Sequence, residues 1–189
     1  MDIDLILAQR WQEAQNEPSP HERYKQKLLD TFPGEIPSGE LFYPNTFDGS
    51  DEIDYLNCIN IFKGKKWFEV DFNVLYKNYT QILWLADLGV IYYLPAFLLY
   101  FYNLQHLDLE YFSSLMFMLE EGFIVPKSSY LNVKIEHSLA PFKCLTKEQS
   151  KLIALFLVNV ANLLPSDYFD VQQAQRALKN YWGKFLLMD

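Results

Sequence analysis

Residues 82–104 read Ile-Leu-Trp-Leu-Ala-Asp-Leu-Gly-Val-Ile-Tyr-Tyr-Leu-Pro-Ala-Phe-Leu-Leu-Tyr-Phe-Tyr-Asn-Leu, and apart from tyrosine and tryptophan the only polar side chains among them are Asp87 and Asn103. A run apolar on nearly every face is either the central helix of a compact core or a membrane span. Asp87 and Pro95 interrupt it, tyrosines crowd its second half, and no basic cluster flanks one end. Those features favour the core helix over the span. Gly89 and Pro95 also argue against one uninterrupted helix. The expectation is a short element at 80–86, then a helix from Asp87 to Asn103 that bends where Pro95 removes a backbone donor.

On the N-terminal side, Ile3, Leu7, Arg10, Trp11 and Ala14 follow helical spacing over 2–16, and Glu17-Pro18-Ser19-Pro20 stops that helix. A second is expected from His21 to Asp30. The turn-rich segment 31–49 follows, and long loops of this kind are often functional. Ser50 can cap a helix from Asp51 to about Phe62, with Asp51, Glu52 and Asp54 favoured in its first turn by the helix dipole. Ile53, Leu56, Ile59 and Ile61 are expected to face inward, and Gly64 to end the helix among Lys63, Lys65 and Lys66. A short helix is expected over Trp67–Tyr79, burying Trp67, Val70, Val74 and Leu75.

On the C-terminal side, Asp108 can cap a helix over 109–120 that Gly122 terminates. Leu131, Val133 and Ile135 alternate with polar residues, which with Phe123-Ile124-Val125 allows one small β-hairpin near 123–137. Thr146 and Gln149 form a capping box that opens an apolar helix to about Leu164. After Pro165-Ser166 a last helix, Asp167 to Trp182, should bury Phe169, Ala174, Ala177, Leu178 and Tyr181. The expected fold is mainly α: one compact helical domain around the central apolar helix and 147–163.

The chain has 189 residues, half of them hydrophobic, enough for one domain with a sizeable core. Its net charge of −8 is concentrated: residues 1–60 hold twelve acids and four bases, whereas the remainder is balanced. Such a field disfavours nucleic acid and anionic lipid and favours basic partners. Cys58 and Cys144 match no metal or redox spacing and suit thiols in a reducing compartment. The opening Met1-Asp2-Ile3-Asp4 lacks the basic start of a signal peptide, so a cytoplasmic location is expected.

Phe62-Lys63-Gly64-Lys65-Lys66-Trp67, Tyr92-Tyr93-Leu94-Pro95-Ala96-Phe97 and Leu145-Thr146-Lys147-Glu148-Gln149, in that order, resemble the bacterial domain-of-unknown-function family numbered 6714. The similarity covers about residues 28–160. Asp87-Leu88-Gly89-Val90 stands where such proteins carry a Ser/Thr-Pro-Glu type of helix start. The resemblance implies a bacterial, soluble protein and brings no active site with it.

No set of residues with recognisable catalytic chemistry emerges. His106, Asp108 and Glu110 alternate, but a zinc site usually has more than one His, and Asp108 serves better as a cap. Asp48-Gly49-Ser50-Asp51 places its glycine too early for a calcium loop. Lys63-Gly64-Lys65-Lys66 lacks the glycines and the hydroxyl of a phosphate loop. Glu120 and Glu121 are adjacent and do not face each other as an acid/base pair. No cofactor, metal or nucleic-acid partner is expected. Three functions remain. The leading one is an interaction role, most concretely an immunity or inhibitor protein masking a basic partner through Asp48, Asp51, Glu52 and Asp54. The second is a small-molecule binder or enzyme with an aromatic pocket at Tyr92, Tyr93 and Tyr100. The third is a structural subunit.

Overall fold

A computed structural model describes residues 20–43, 50–70, 84–102, 110–125, 136–165 and 167–187. Six α-helices dominate the described residues: α1 (Pro20–Thr31), α2 (Ser50–Phe62), α3 (Asp87–Tyr102), α4 (Glu110–Glu121), α5 (Lys147–Leu163) and α6 (Phe169–Asn180). Short 3-10 turns lie between them at Trp67–Glu69 and Ala140–Cys144, and another, Trp182–Leu186, follows α6. The protein is mainly α, as its apolar periodicity predicts.

The central apolar run becomes α3, where every residue from Tyr92 to Leu98 is buried. Helix α3 packs against α1 and α5, while α6 packs against α4 and α5. One buried cluster draws side chains from all six helices, including Tyr24, Phe62, Phe97, Phe112, Phe156 and Leu178. Helix α3 continues without a break through Pro95. The proline costs it one donor, that which would have met the carbonyl of Ile91.

Gly89 sits inside the first turn of α3 for a reason other than chain breaking. A Cβ there would stand 1.9 Å from the carbonyl oxygen of Leu41. The backbone of residues 32–43 lies directly on this turn as a strap. The amide of Ala86 donates to Leu41 O at 3.0 Å, Tyr43 N donates to Trp84 O at 3.1 Å, and Phe42 forms an isolated antiparallel bridge with Leu85. Buried Phe32 and Leu41 anchor the strap at its two ends.

Local signals placed most boundaries. Gly64 and Gly122 follow α2 and α4 with φ of 76° and 95°, a region closed to most side chains. Thr146 Oγ1 accepts from the Gln149 amide, and Gln149 Oε1 accepts from the Thr146 amide, completing the box that opens α5. A two-stranded antiparallel pair also forms, β1 (Phe123–Val125) with β2 (Glu136–Ser138), in the register Ile124 opposite His137. Its second strand follows the alternating residues 131–135, which lie outside the described set, as do the expected helix at 2–16 and residues 71–83 and 103–109.

Three expectations need correction. Helix α2 buries Tyr55, Cys58, Ile61 and Phe62, so Ile53 and Leu56 point outward, 63% and 46% exposed. The segment expected to be helical from Trp67 begins instead as a single 3-10 turn before Val70 extends, with both residues buried as expected, and its remainder, 71–79, lies outside the described residues. Phe169, expected inside, is 64% exposed because α6 buries Val171, Gln173, Ala174, Ala177 and Leu178.

Gly89→Ala should therefore push the strap off α3. Loss of its two backbone hydrogen bonds predicts a destabilisation of about 2 kcal/mol or more. Gly39→Ala should cost well under half of that, because a Cβ there meets only the movable Leu88 Cδ2. Denaturant midpoints of the two variants check the contrast.

Candidate interaction surface

The sequence-derived candidates fall into two groups, which the structure places differently. Tyr92 and Tyr93 are buried in α3, with ring centroids 4.9 Å apart in an edge-on contact. The Tyr93 hydroxyl donates to Phe62 O at 2.6 Å, with Lys65 O at 3.1 Å as a second acceptor. It thereby satisfies carbonyls at the end of α2 that have no partner within the helix. The Tyr92 hydroxyl donates to Gly34 O at 3.1 Å and ties the strap to α3. Burial pushes both phenols up from their ordinary value. Tyr100, two turns further along, is half-buried against Phe101. Tyr92 and Tyr93 thus form one tyrosine pair in structural hydrogen bonds, with Tyr100 apart from it.

The acidic candidates lie at the other end of α2. Glu52 is exposed on that helix. Asp51 and Asp54 belong to its first turns by backbone placement, and Asp48 lies outside the described residues. Successive helix positions rotate by about 100°, so Glu52, Ile53, Leu56 and Asn60 share one solvent-facing arc opposite Tyr55, Cys58 and Phe62. Sequence reasoning missed Ile53 and Leu56 as surface residues. Helix α2 carries apolar residues all round, so its period alone does not choose the buried side.

Other constellations have structural assignments. Glu120, with its side chain almost fully buried, takes a bidentate ion pair from Arg176 that links α4 to α6, with Nη2 to Oε2 at 3.0 Å. Lys63 and Lys65 extend the end of α2 through backbone bonds to Ile59 O and Phe62 O, and Lys66 lies over the Phe68 ring. Asp87 begins α3 and hydrogen-bonds the Tyr43 hydroxyl. Desolvation raises its carboxyl above the ordinary range despite that bond. Of the metal candidates, Glu110 starts α4 while His106 and Asp108 fall outside the described residues. Among the described residues no three His, Cys, Asp or Glu side chains gather as a metal site, and no helix is long and apolar enough to cross a membrane.

The two thiols differ sharply. Cys144 is exposed and donates to Pro141 O at 3.0 Å, whereas Cys58 is fully buried in α2. Burial pushes the Cys58 thiol up to about 12. The folded protein favours the neutral thiol, so this contribution is complete below the ordinary value of 9.0 and is lost as pH rises towards about 12. At about 1.4 kcal/mol per unit, the loss amounts to a few kcal/mol. Cys58→Ala should flatten the alkaline fall in unfolding free energy, with the raised phenols, Tyr24, Tyr92 and Tyr93 among them, contributing to what remains. Thiol titration of the native protein should count Cys144 alone, and denaturant should release the second.

The model of a protein family described as "Family of unknown function (DUF6714)" matches residues 45–186, more than half of the chain. All three motifs quoted from the sequence fall inside the match, which begins and ends later than they suggest. Neither a curated protein nor a solved structure matches the chain.

Proposed function

Taking as premise that the chain belongs to the family of unknown function DUF6714, which assigns no activity, we propose that it acts by binding another protein, as an immunity or inhibitor protein that masks a basic partner. The observation that carries this reading is the outward arc of α2, where Ile53 and Leu56 stand in solvent beside Glu52. Exposed apolar side chains contribute binding energy when a partner covers them, and neighbouring carboxylates select a basic partner and steer its approach. The charge distribution points the same way. The whole net charge of −8 resides in residues 1–60, the third of the chain that contains α2. A basic nuclease or other cationic protein would meet this field at long range and the apolar arc at contact.

Capture of the tagged protein's partner from native cytosol at low salt, followed by a salt wash, tests the reading. The expected result is a basic protein that salt strips away. With that partner in hand, the combined Asp51→Asn, Glu52→Gln and Asp54→Asn variant should associate about tenfold more slowly at low salt, and much less so at high salt. Leu56→Ser should instead speed dissociation. An association rate unchanged by neutralising all three carboxylates would refute recognition by charge.

A further inference from the structure

A second surface, on the strap, extends this reading. Between its anchors at Phe32 and Leu41 the strap carries Glu35, Ile36, Ser38, Gly39 and Glu40 into solvent. Two glycines shape what surrounds them. The Phe68 ring edge comes within 3.1 Å of where a Gly34 Cβ would stand, and Leu88 Cδ2 within 2.4 Å of the same point at Gly39. Phe68 after α2 and Leu88 at the start of α3 therefore lie onto the strap on either side of Ile36. All three stay accessible: Ile36, Phe68 and Leu88 are 39%, 45% and 38% exposed. Tyr92 holds the strap backbone at Gly34, and the bonds from Ala86 and Tyr43 hold its far end. The surface is thus fixed before anything binds, which lowers the ordering cost of association.

The charges around these apolar side chains are mostly of one sign. Glu35 and Glu40 flank Ile36, Glu69 follows Phe68, and Asp87 precedes Leu88, all four exposed. Against them stands the Lys66 ammonium, 5.7 Å from the Phe68 ring centroid. A like-charged partner would suffer repulsion here, and a neutral one would leave the carboxylates uncompensated.

We propose that Ile36, Phe68 and Leu88, rimmed by Glu35, Glu40, Glu69 and Asp87, form a docking site for a partner segment that presents apolar side chains flanked by lysine or arginine. This rests on the interaction reading above and gives it a second contact, in which the strap precedes the residues matched by the family while Phe68 and Leu88 lie within them. A site of three side chains is small, so a peptide alone should bind weakly, at roughly 0.1 mM or above.

The test uses the full chain, 15N-labelled, with three synthetic peptides that share the same leucines and phenylalanine and differ only in carrying lysine, serine or glutamate between them. The lysine peptide should move the amide resonances of Gly34–Glu40, Phe68 and Leu88, and the shifts should shrink as salt rises. Ile36→Ser, which removes the apolar contact without adding charge, should weaken this binding about fivefold or more, with an unchanged denaturant midpoint as the check on the fold. Equal binding of the glutamate or serine peptide, or undiminished binding to the Ile36→Ser protein, would overturn the proposal. Shifts confined to Glu52–Asn60 would overturn the strap site and leave the α2 reading standing. No shift anywhere with the lysine peptide at millimolar concentration would overturn the strap site, while the α2 reading stands or falls on the partner capture.

Discussion

The C-terminal turns of α1 to α4 are each met by a side chain from elsewhere in the fold, and that constraint governs how the rest is arranged. The last four carbonyls of any helix lack intrahelical donors, and burying them without partners is costly. Here each end receives a side chain from another element. Gln149 Nε2 donates to Thr31 O of α1, Tyr93 to Phe62 O of α2, Asn159 Nδ2 to Tyr102 O of α3 and Trp182 Nε1 to Leu119 O of α4. The last two bonds are 2.7 Å long. Two of the four donors come from α5, which makes that helix the polar as well as the apolar partner of the core. Its side chains Gln149 and Asn159 are buried for this purpose. The Tyr24 hydroxyl returns the relation by donating to Leu152 O of α5 at 2.9 Å.

This arrangement explains why the tyrosines of α3 could be read in two ways. An aromatic, nearly dry helix with a few hydroxyls is what a ligand pocket needs, and also what a core needs when it must satisfy neighbouring carbonyls. Sequence shows the residue type and spacing but not the acceptor. Phe62 O and Gly34 O are 31 and 58 residues away from the tyrosines that reach them. Signals contained within a few residues were legible: the Thr146–Gln149 box, the terminating Gly64 and Gly122, and the apolar run of α3. Those that depend on distant chain were not. Gly89 looks like a helix breaker locally, whereas its actual role is to admit the backbone of Leu41.

The same distinction accounts for the rotation of α2. Ile53, Tyr55, Leu56, Cys58, Ile59, Ile61 and Phe62 leave hardly any face without an apolar residue, so a local rule assigns the aliphatic ones inward. Tertiary contacts decide otherwise. Tyr55 meets Trp84 edge-on, and Phe62 lies against both Tyr93 and Phe97. Once those aromatic contacts and the Tyr93 bond to Phe62 O are made, Ile53 and Leu56 are left on the opposite, exposed side of the helix. The acidic character of the region was legible from composition alone, but its coupling to apolar side chains on the same arc was not.

That coupling bears on what kind of recognition the N-terminal third can support. Carboxylates alone give a diffuse field that attracts any cation and discriminates poorly, since exposed ion pairs contribute little once salt screens them. Apolar side chains alone give contact energy without orientation. The two occur together at Glu52 with Ile53 and Leu56, and on the strap around Ile36. Both are mounted on buried, hydrogen-bonded supports: α2 through Phe62 and Tyr93, the strap through Leu41 and Gly89. A partner that engaged both would have to place its cations and apolar groups at a spacing set by the core of this protein. Specificity would then come from that rigid spacing, and the net charge would govern chiefly the rate of encounter.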